Sequence, residues 1–183
     1  MKRYFSFTLV EILAVTAIVA LLGAIGFAGY GYAMNASRRA ATESLIQQIS
    51  AGLENFKIKN GYYPASTSYQ RIGLTFDANG LTGITFGSTV WNQSSNEFKV
   101  FVKPLDQEKL KKSSNGTNLV DSWGGTVYYR YPGAFNKTGF DLIAPGPDGN
   151  FGTVANTSAP ADTTVYKDSG EWACDDISNF MDK

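Results

Sequence analysis

Residues 7–33, FTLVEILAVTAIVALLGAIGFAGYGYA, decide what kind of molecule this chain can be. Glu11 is the one formally charged side chain between Tyr4 and Ser37, and Ile12–Ala33 is an uncharged run of 22 residues. As a helix rising about 1.5 Å per residue, that run reaches roughly 33 Å, enough for a bilayer core of about 30 Å. The sequence therefore predicts a hydrophobic, membrane-spanning helix over 7–36. Lys2 and Arg3 precede it, but the apolar stretch exceeds the ~7–15 residues of a secretory signal. A carboxylate at the entrance to such a run is costly unless it meets a counter-charge.

Past Arg38 and Arg39 the pattern becomes one-sided. Leu45, Ile49, Leu53 and Phe56 follow at spacings of four, four and three, with Gln47, Gln48, Ser50, Glu54 and Lys57 between them. That is the apolar stripe of an amphipathic helix over 37–60. Asn60-Gly61 supplies a stop, because glycine tolerates the left-handed C-cap, and Pro64 follows. Residues 7–60 thus read as one spine helix, about 80 Å long.

From Gly61 to Lys183 the composition shifts to Gly, Ser, Thr, Asn and aromatics, as expected of a globular head of strands and turns. Residues 97–102 (EFKVFV), 126–131 (TVYYRY) and 140–144 (FDLIA) read as strands, and 103–112 as a short helix. Residues 65–96, within a variable loop region over 61–120, suggest an irregular loop or hairpin with no assigned elements. The expected fold class is α+β: a long N-terminal helix, half membrane-spanning and half amphipathic, packed on a small antiparallel sheet. The sheet is placed in 121–152 and a C-terminal loop in 153–183.

Composition removes much chemistry. The chain has no His and one Cys, Cys174, which excludes Ser-His-Asp triads, Cys-His pairs, His-ligated metals and an internal disulfide. Sixteen cationic and sixteen acidic residues leave no basic excess for nucleic acid. No enzymatic activity is expected. Trp91, Trp123 and Trp172 are read as packing residues. The local exception is charge: residues 141–183 hold eight Asp/Glu against two Lys. Such an excess is either a solvated acidic surface or a hard-cation site.

Phe7-Thr8-Leu9-Val10-Glu11, behind a short basic leader and ahead of the apolar run, resembles the prepilin signal of type IV pilins and type II secretion pseudopilins. Three further stretches sharpen the likeness: 53–64 (LENFKIKNGYYP), 121–133 (DSWGGTVYYRYPG) and 140–152 (FDLIAPGPDGNFG) resemble parts of the major pseudopilin family. The resemblance implies a leader over 1–6, cleavage between Ser6 and Phe7 by a prepilin peptidase, and N-methylation of Phe7. The family usually carries Gly where this chain has Ser6. Glu11 falls on the glutamate that, in the family, pairs with the terminal ammonium of a neighbouring subunit during assembly. The resemblance also implies calcium, held by Asp148, Asp175, Asp176 and the carbonyl of Pro145, which would pin the C-terminal loop. The stretch 153–174 is longer than in the family, and its Asp162, Asp168 and Glu171 could join the shell.

The implied role is that of a structural subunit, not an enzyme. It would sit as a single-pass protein of the bacterial inner membrane and polymerise through its helices into a periplasmic pseudopilus that drives protein export. Its partners would be other copies, the prepilin peptidase, minor pseudopilins and an inner-membrane platform. The alternative within the resemblance is a type IV pilin of a surface pilus.

Overall fold

A computed structural model describes residues 8–152, 167–168, 171–172 and 175–180; of these, the side chains of 25–29, 167–168 and 171–172 are left undescribed. Helix α1 runs over Leu9–Asn60. By contacts the chain divides into two units, residues 1–37 and 38–183.

In the first unit every described side chain from Leu9 to Ala24 is exposed. The expectation of a membrane-spanning half is corrected here: among the described residues, no helix is long and apolar enough to cross a membrane. The fold class is accordingly α+β, a long helix and an antiparallel sheet, and among the described residues no segment qualifies as membrane-spanning.

The second unit is built on the stripe of α1. Leu45, Ile49, Leu53 and Phe56 are all buried, joined by Ile46. Each such side chain contributes about 1.5–3 kcal/mol when removed from water. The helix stops where Asn60-Gly61 was expected to stop it: Gly61 has φ 85°, its N–H donates to the Lys57 carbonyl (2.7 Å), and Asn60 Nδ2 donates to the Phe56 carbonyl (3.0 Å).

Residues 65–96, for which the sequence suggested no elements, form a three-stranded meander: β1 (Ser66–Asp77), β2 (Gly80–Phe86) and β3 (Thr89–Asn92). Its first turn is held by Asn79 N–H on Asp77 Oδ1 (2.7 Å), its second by Gly87 at φ 60°. A two-residue loop of that kind needs a residue with positive φ. Then come α2 (Asn96–Val102), α3 (Gln107–Lys112), β4 (Tyr128–Tyr131) and β5 (Asp141–Ala144). Two-residue strands β6 (Lys167–Asp168), β7 (Glu171–Trp172) and β8 (Ile177–Ser178) follow. The main sheet has the order β3-β2-β1-β4-β5-β8 with every pairing antiparallel; β6 and β7 pair separately.

The expected strand over 97–102 is instead α2. Ser95 accepts the Phe98 N–H on its side chain (3.1 Å), and Phe98 and Phe101, one helical turn apart, are both buried. The alternating polar and apolar letters suited a strand, but an N-cap and an i,i+3 aromatic pair bury more through a helix. The expected helix over 103–112 is confined to Gln107–Lys112, where Asp106 caps the N–H groups of Glu108 and Lys109.

Phe86 centres the core, with ring centroids of Tyr129, Phe101 and Trp91 at 4.9, 5.3 and 5.4 Å in edge-to-face arrangements. Trp91 is a packing residue and Trp123 packs against the same cluster. Gly52 lets α2 approach α1: a Cβ there would lie 2.7 Å from Phe101 Cε2 and 3.0 Å from the Phe101 carbonyl oxygen. Phe101→Ala should therefore lower stability by about 3–5 kcal/mol, whereas Val90→Ala, on a 67 % exposed edge position, should stay within about 0.5 kcal/mol. Urea unfolding of both variants checks this.

Candidate functional site

Two places carry the expected site residues: the start of α1 and the loop after β5. At the helix start, Ser6 and Phe7 lie outside the described residues. Glu11 is described, and its partner is local. Thr8 N–H and Thr8 Oγ1 both donate to Glu11 Oε2 (2.7 and 2.8 Å), while Glu11 N–H donates to Thr8 Oγ1 (3.2 Å). This is a capping box, in which Thr8 and Glu11 satisfy each other's orphan N–H groups at the end of a helix. A carboxylate in the first turn also faces the positive end of the helix dipole. Within one chain Glu11 thus has a structural use. Thr8-x-x-Glu11 before an apolar run is a local signal for this use, distinct from the charge at the entrance to the run.

The second place is an arch made by the loop after β5 and the residues leading into β8. Gly146–Asp148 is a single 3-10 turn preceded by Pro145 and followed by Gly149 at φ 73°. Gly146, itself at φ 71°, lies so close to the Asp175 carbonyl that a Cβ would stand 2.6 Å from its oxygen. Asp148 Oδ1 accepts the Asn150 N–H (2.8 Å), an Asx turn on the exposed side. Asp175 is partly buried. Burial pushes its carboxyl above the ordinary aspartate range, and the like charge of Asp148 pushes it further, opposed by hydrogen bonds and by Arg39. Asp176 is buried and accepts the Gly152 N–H on Oδ2 (2.7 Å).

Of the four expected metal ligands, then, Asp148 and Asp175 influence each other, Pro145 heads the same turn, and Asp176 is bonded to Gly152. Among the described residues no group of three or more His, Cys, Asp or Glu is arranged to hold a metal ion. The Asp148–Asp175 pair suits a hard cation in donor type, but calcium takes six to eight oxygens. Asp162 and Cys174 lie outside the described residues, as do the side chains of Asp168 and Glu171.

Two carboxylates that the sequence did not single out hold the loops together. Asp141, fully buried, accepts the Tyr69 hydroxyl (2.9 Å) and the N–H groups of Ala134, Phe135 and Asn136 (2.6, 3.0 and 2.9 Å). Asp121, also buried, accepts the N–H groups of Trp123 and Gly125 on Oδ1 (2.9 and 2.8 Å) and of Gly146 on Oδ2 (3.1 Å). It thereby ties the 121–125 turn to the arch. The Asp-x-x-Gly-Gly spacing of residues 121–125 is a signal for such a turn, since Asp binds backbone N–H groups two to four residues on. Nothing local marks the bond from Asp121 to Gly146.

No protein-family model matches the chain, and no curated protein or solved structure matches it.

Burial holds the Asp121 carboxyl above its ordinary value of 3.8, against the pull of its backbone donors. A carboxyl that titrates higher in the folded than in the unfolded chain favours folding while protonated. That contribution is full below pH 3.8 and is lost as pH rises through the folded value. Asp121→Asn cannot ionise, so the stability of the wild type relative to this variant should fall as pH rises above about 4. Denaturant melts of both proteins at a series of pH values check the sign.

Proposed function

We propose that the chain is a filament subunit of the pseudopilin kind, processed between Ser6 and Phe7 and polymerised through the first part of α1. The observation that carries this reading is the exposure of the helix start: Leu9, Val10, Ile12, Leu13, Val15 and Ile18 are each more than half exposed. Monomeric proteins rarely leave so continuous an apolar surface in water, and such surfaces mark sites of association. Copies packed side by side would bury it, at about 25 cal/mol per Å². The prepilin-like stretch at residues 7–11 and the major-pseudopilin-like stretches at 121–133 and 140–152 support the same reading.

Assembly gives Glu11 a second partner. In the free subunit it caps its own helix through Thr8. In the fibre it meets the methylated ammonium of Phe7 from a neighbouring copy, and the ion pair sets the register between helices. The subunit works as a mechanical part of a type II secretion pseudopilus in the periplasm. The prepilin peptidase, minor pseudopilins and the secretion platform act on it or with it.

Glu11→Gln separates the two uses of this side chain, because Gln also completes a capping box but carries no charge. The helicity of the unassembled subunit should be unchanged, while incorporation into filaments, measured by shearing and sedimentation, should drop at least about tenfold. Equal assembly of the variant would remove the ion pair. The mature protein should lack Met1–Ser6 and carry one added methyl group by intact mass; an intact leader would remove the whole reading. Loss of protein export on deletion, with twitching and DNA uptake intact, distinguishes the secretion filament from a surface pilus.

Calcium belongs to the proposal through Asp148 and Asp175, whose mutual repulsion a divalent cation would relieve. Chelation should lower the melting temperature by several degrees, about 1–2 kcal/mol of stabilisation, and Asp148→Ala should abolish the difference. An unchanged melt in chelator removes the metal.

A further inference from the structure

The face of the sheet turned away from the α1 stripe carries two arginines on adjacent strands. In the β1–β4 register Arg71 stands opposite Tyr128, and its Nε donates to the Tyr128 hydroxyl (3.3 Å). Arg130, two residues further along β4, lies over the ring of Tyr69, 5.5 Å from its centroid. Each guanidinium is thus braced by a tyrosine of the other strand. The two arginines are diagonal neighbours, a relation that in antiparallel pairs sets residues about 7–8 Å apart.

Neither arginine forms an ion pair among the described residues. Among the described residues the ion pair present is Arg39–Glu43, far along the chain in the helix. Asp141 stands opposite Arg130 in the β4–β5 register, yet its carboxylate is taken up by the Tyr69 hydroxyl and three backbone N–H groups. Arg130 Nε is enclosed and has no hydrogen-bond partner among the described residues, although the side chain as a whole is only partly buried. Its Nε is thus desolvated while the residue keeps some exposure to solvent. A cation–π contact holds it in place without supplying charge, and desolvated charged donors without an acceptor are costly.

We infer that Arg71 and Arg130 form a binding site for an oxyanion on this face of the sheet. Guanidinium groups present planar forks that match carboxylate and phosphate oxygens. The tyrosines hold both forks in position before the ligand arrives, so little side-chain freedom remains to be lost on binding. This site is independent of α1 and of the filament reading. Its ligand is either a free inorganic oxyanion or a carboxylate of a polypeptide.

The test follows the side-chain Nε–Hε resonances of Arg71 and Arg130 by NMR in the full-length chain at constant ionic strength. Sodium phosphate and N-acetylglycine are titrated separately, with sodium chloride as the control. A saturable shift with a Kd on the order of 1 mM is expected for at least one of the two probes. Saturation by phosphate alone assigns an inorganic oxyanion, and saturation by N-acetylglycine assigns a polypeptide carboxylate. Arg71 is exposed, so Arg71→Gln should leave the fold intact and weaken binding at least about tenfold, read on the Arg130 resonance. The inference is overturned if neither probe saturates by about 50 mM, if chloride produces the same shifts, or if folded Arg71→Gln binds as tightly as the wild type.

Discussion

The head exists because the stripe Leu45, Ile49, Leu53 and Phe56 has to be covered. A helix with one apolar face cannot hide that face by itself, and the chain supplies a twisted antiparallel sheet and a short aromatic helix to do so. Phe86 and Tyr129 from the sheet and Phe101 from α2 meet over the stripe. Gly52 is the concession on the helix side, since any side chain there would hold Phe101 away. The three-stranded meander between residues 66 and 92 has little helical character in its sequence. It serves this cover by placing Ile72, Leu74, Ile84 and Phe86 in the same core.

Around that core, buried carboxylates do the work that regular hydrogen bonding leaves undone. Much of the described chain between β4 and β8 is loop, and loop N–H groups turned inward need acceptors. Asp141 takes three of them, Asp121 takes three, and Asp176 takes one from Gly152. Asn179 adds to the set: its Oδ1 accepts the Leu142 N–H (2.7 Å) and its Nδ2 donates to the Phe140 carbonyl (2.9 Å), stapling the end of the chain to β5. Charge-assisted bonds of this type are stronger than neutral ones. They tie the described loops around β5 and β8 to the core. The Asp148–Asp175 pair is different in kind. There two like charges repel, and backbone N–H groups only partly offset the combined effect of burial and repulsion.

Glu11 has a use within one chain, and the proposed assembly would give it another. Its capping box with Thr8 starts α1 without any second molecule. The exposed apolar side chains that follow have no such local solution, and their exposure is what the proposed assembly would relieve. In the proposed filament the carboxylate would lie where helix initiation and subunit contact meet.

The spine helix, its stripe and its stop at Asn60-Gly61 were legible because helical periodicity and glycine C-caps are local properties of the letters. Strands β4 and β5 were legible for the same reason. The membrane-spanning assignment of 7–36 came from counting uncharged residues, and among the described residues no helix is long and apolar enough to bear it out. The segment 97–102 went astray because alternation and an i,i+3 pair coexist in EFKVFV, and only packing against Phe86 and Gly52 chooses between them. Likewise, the sequence placed acidic residues in the C-terminal third without saying what they bind. Local pattern determined where α1 lies and which face it buries. Tertiary structure alone decided that Asp121 reaches Gly146, that Asp141 gathers Tyr69 and the 134–136 N–H groups, and that Arg71 and Arg130 share a face. The Tyr69–Asp141, Asp121–Gly146 and Arg71–Arg130 relations join residues far apart in the chain, and strand pairing together with loop packing brings them together.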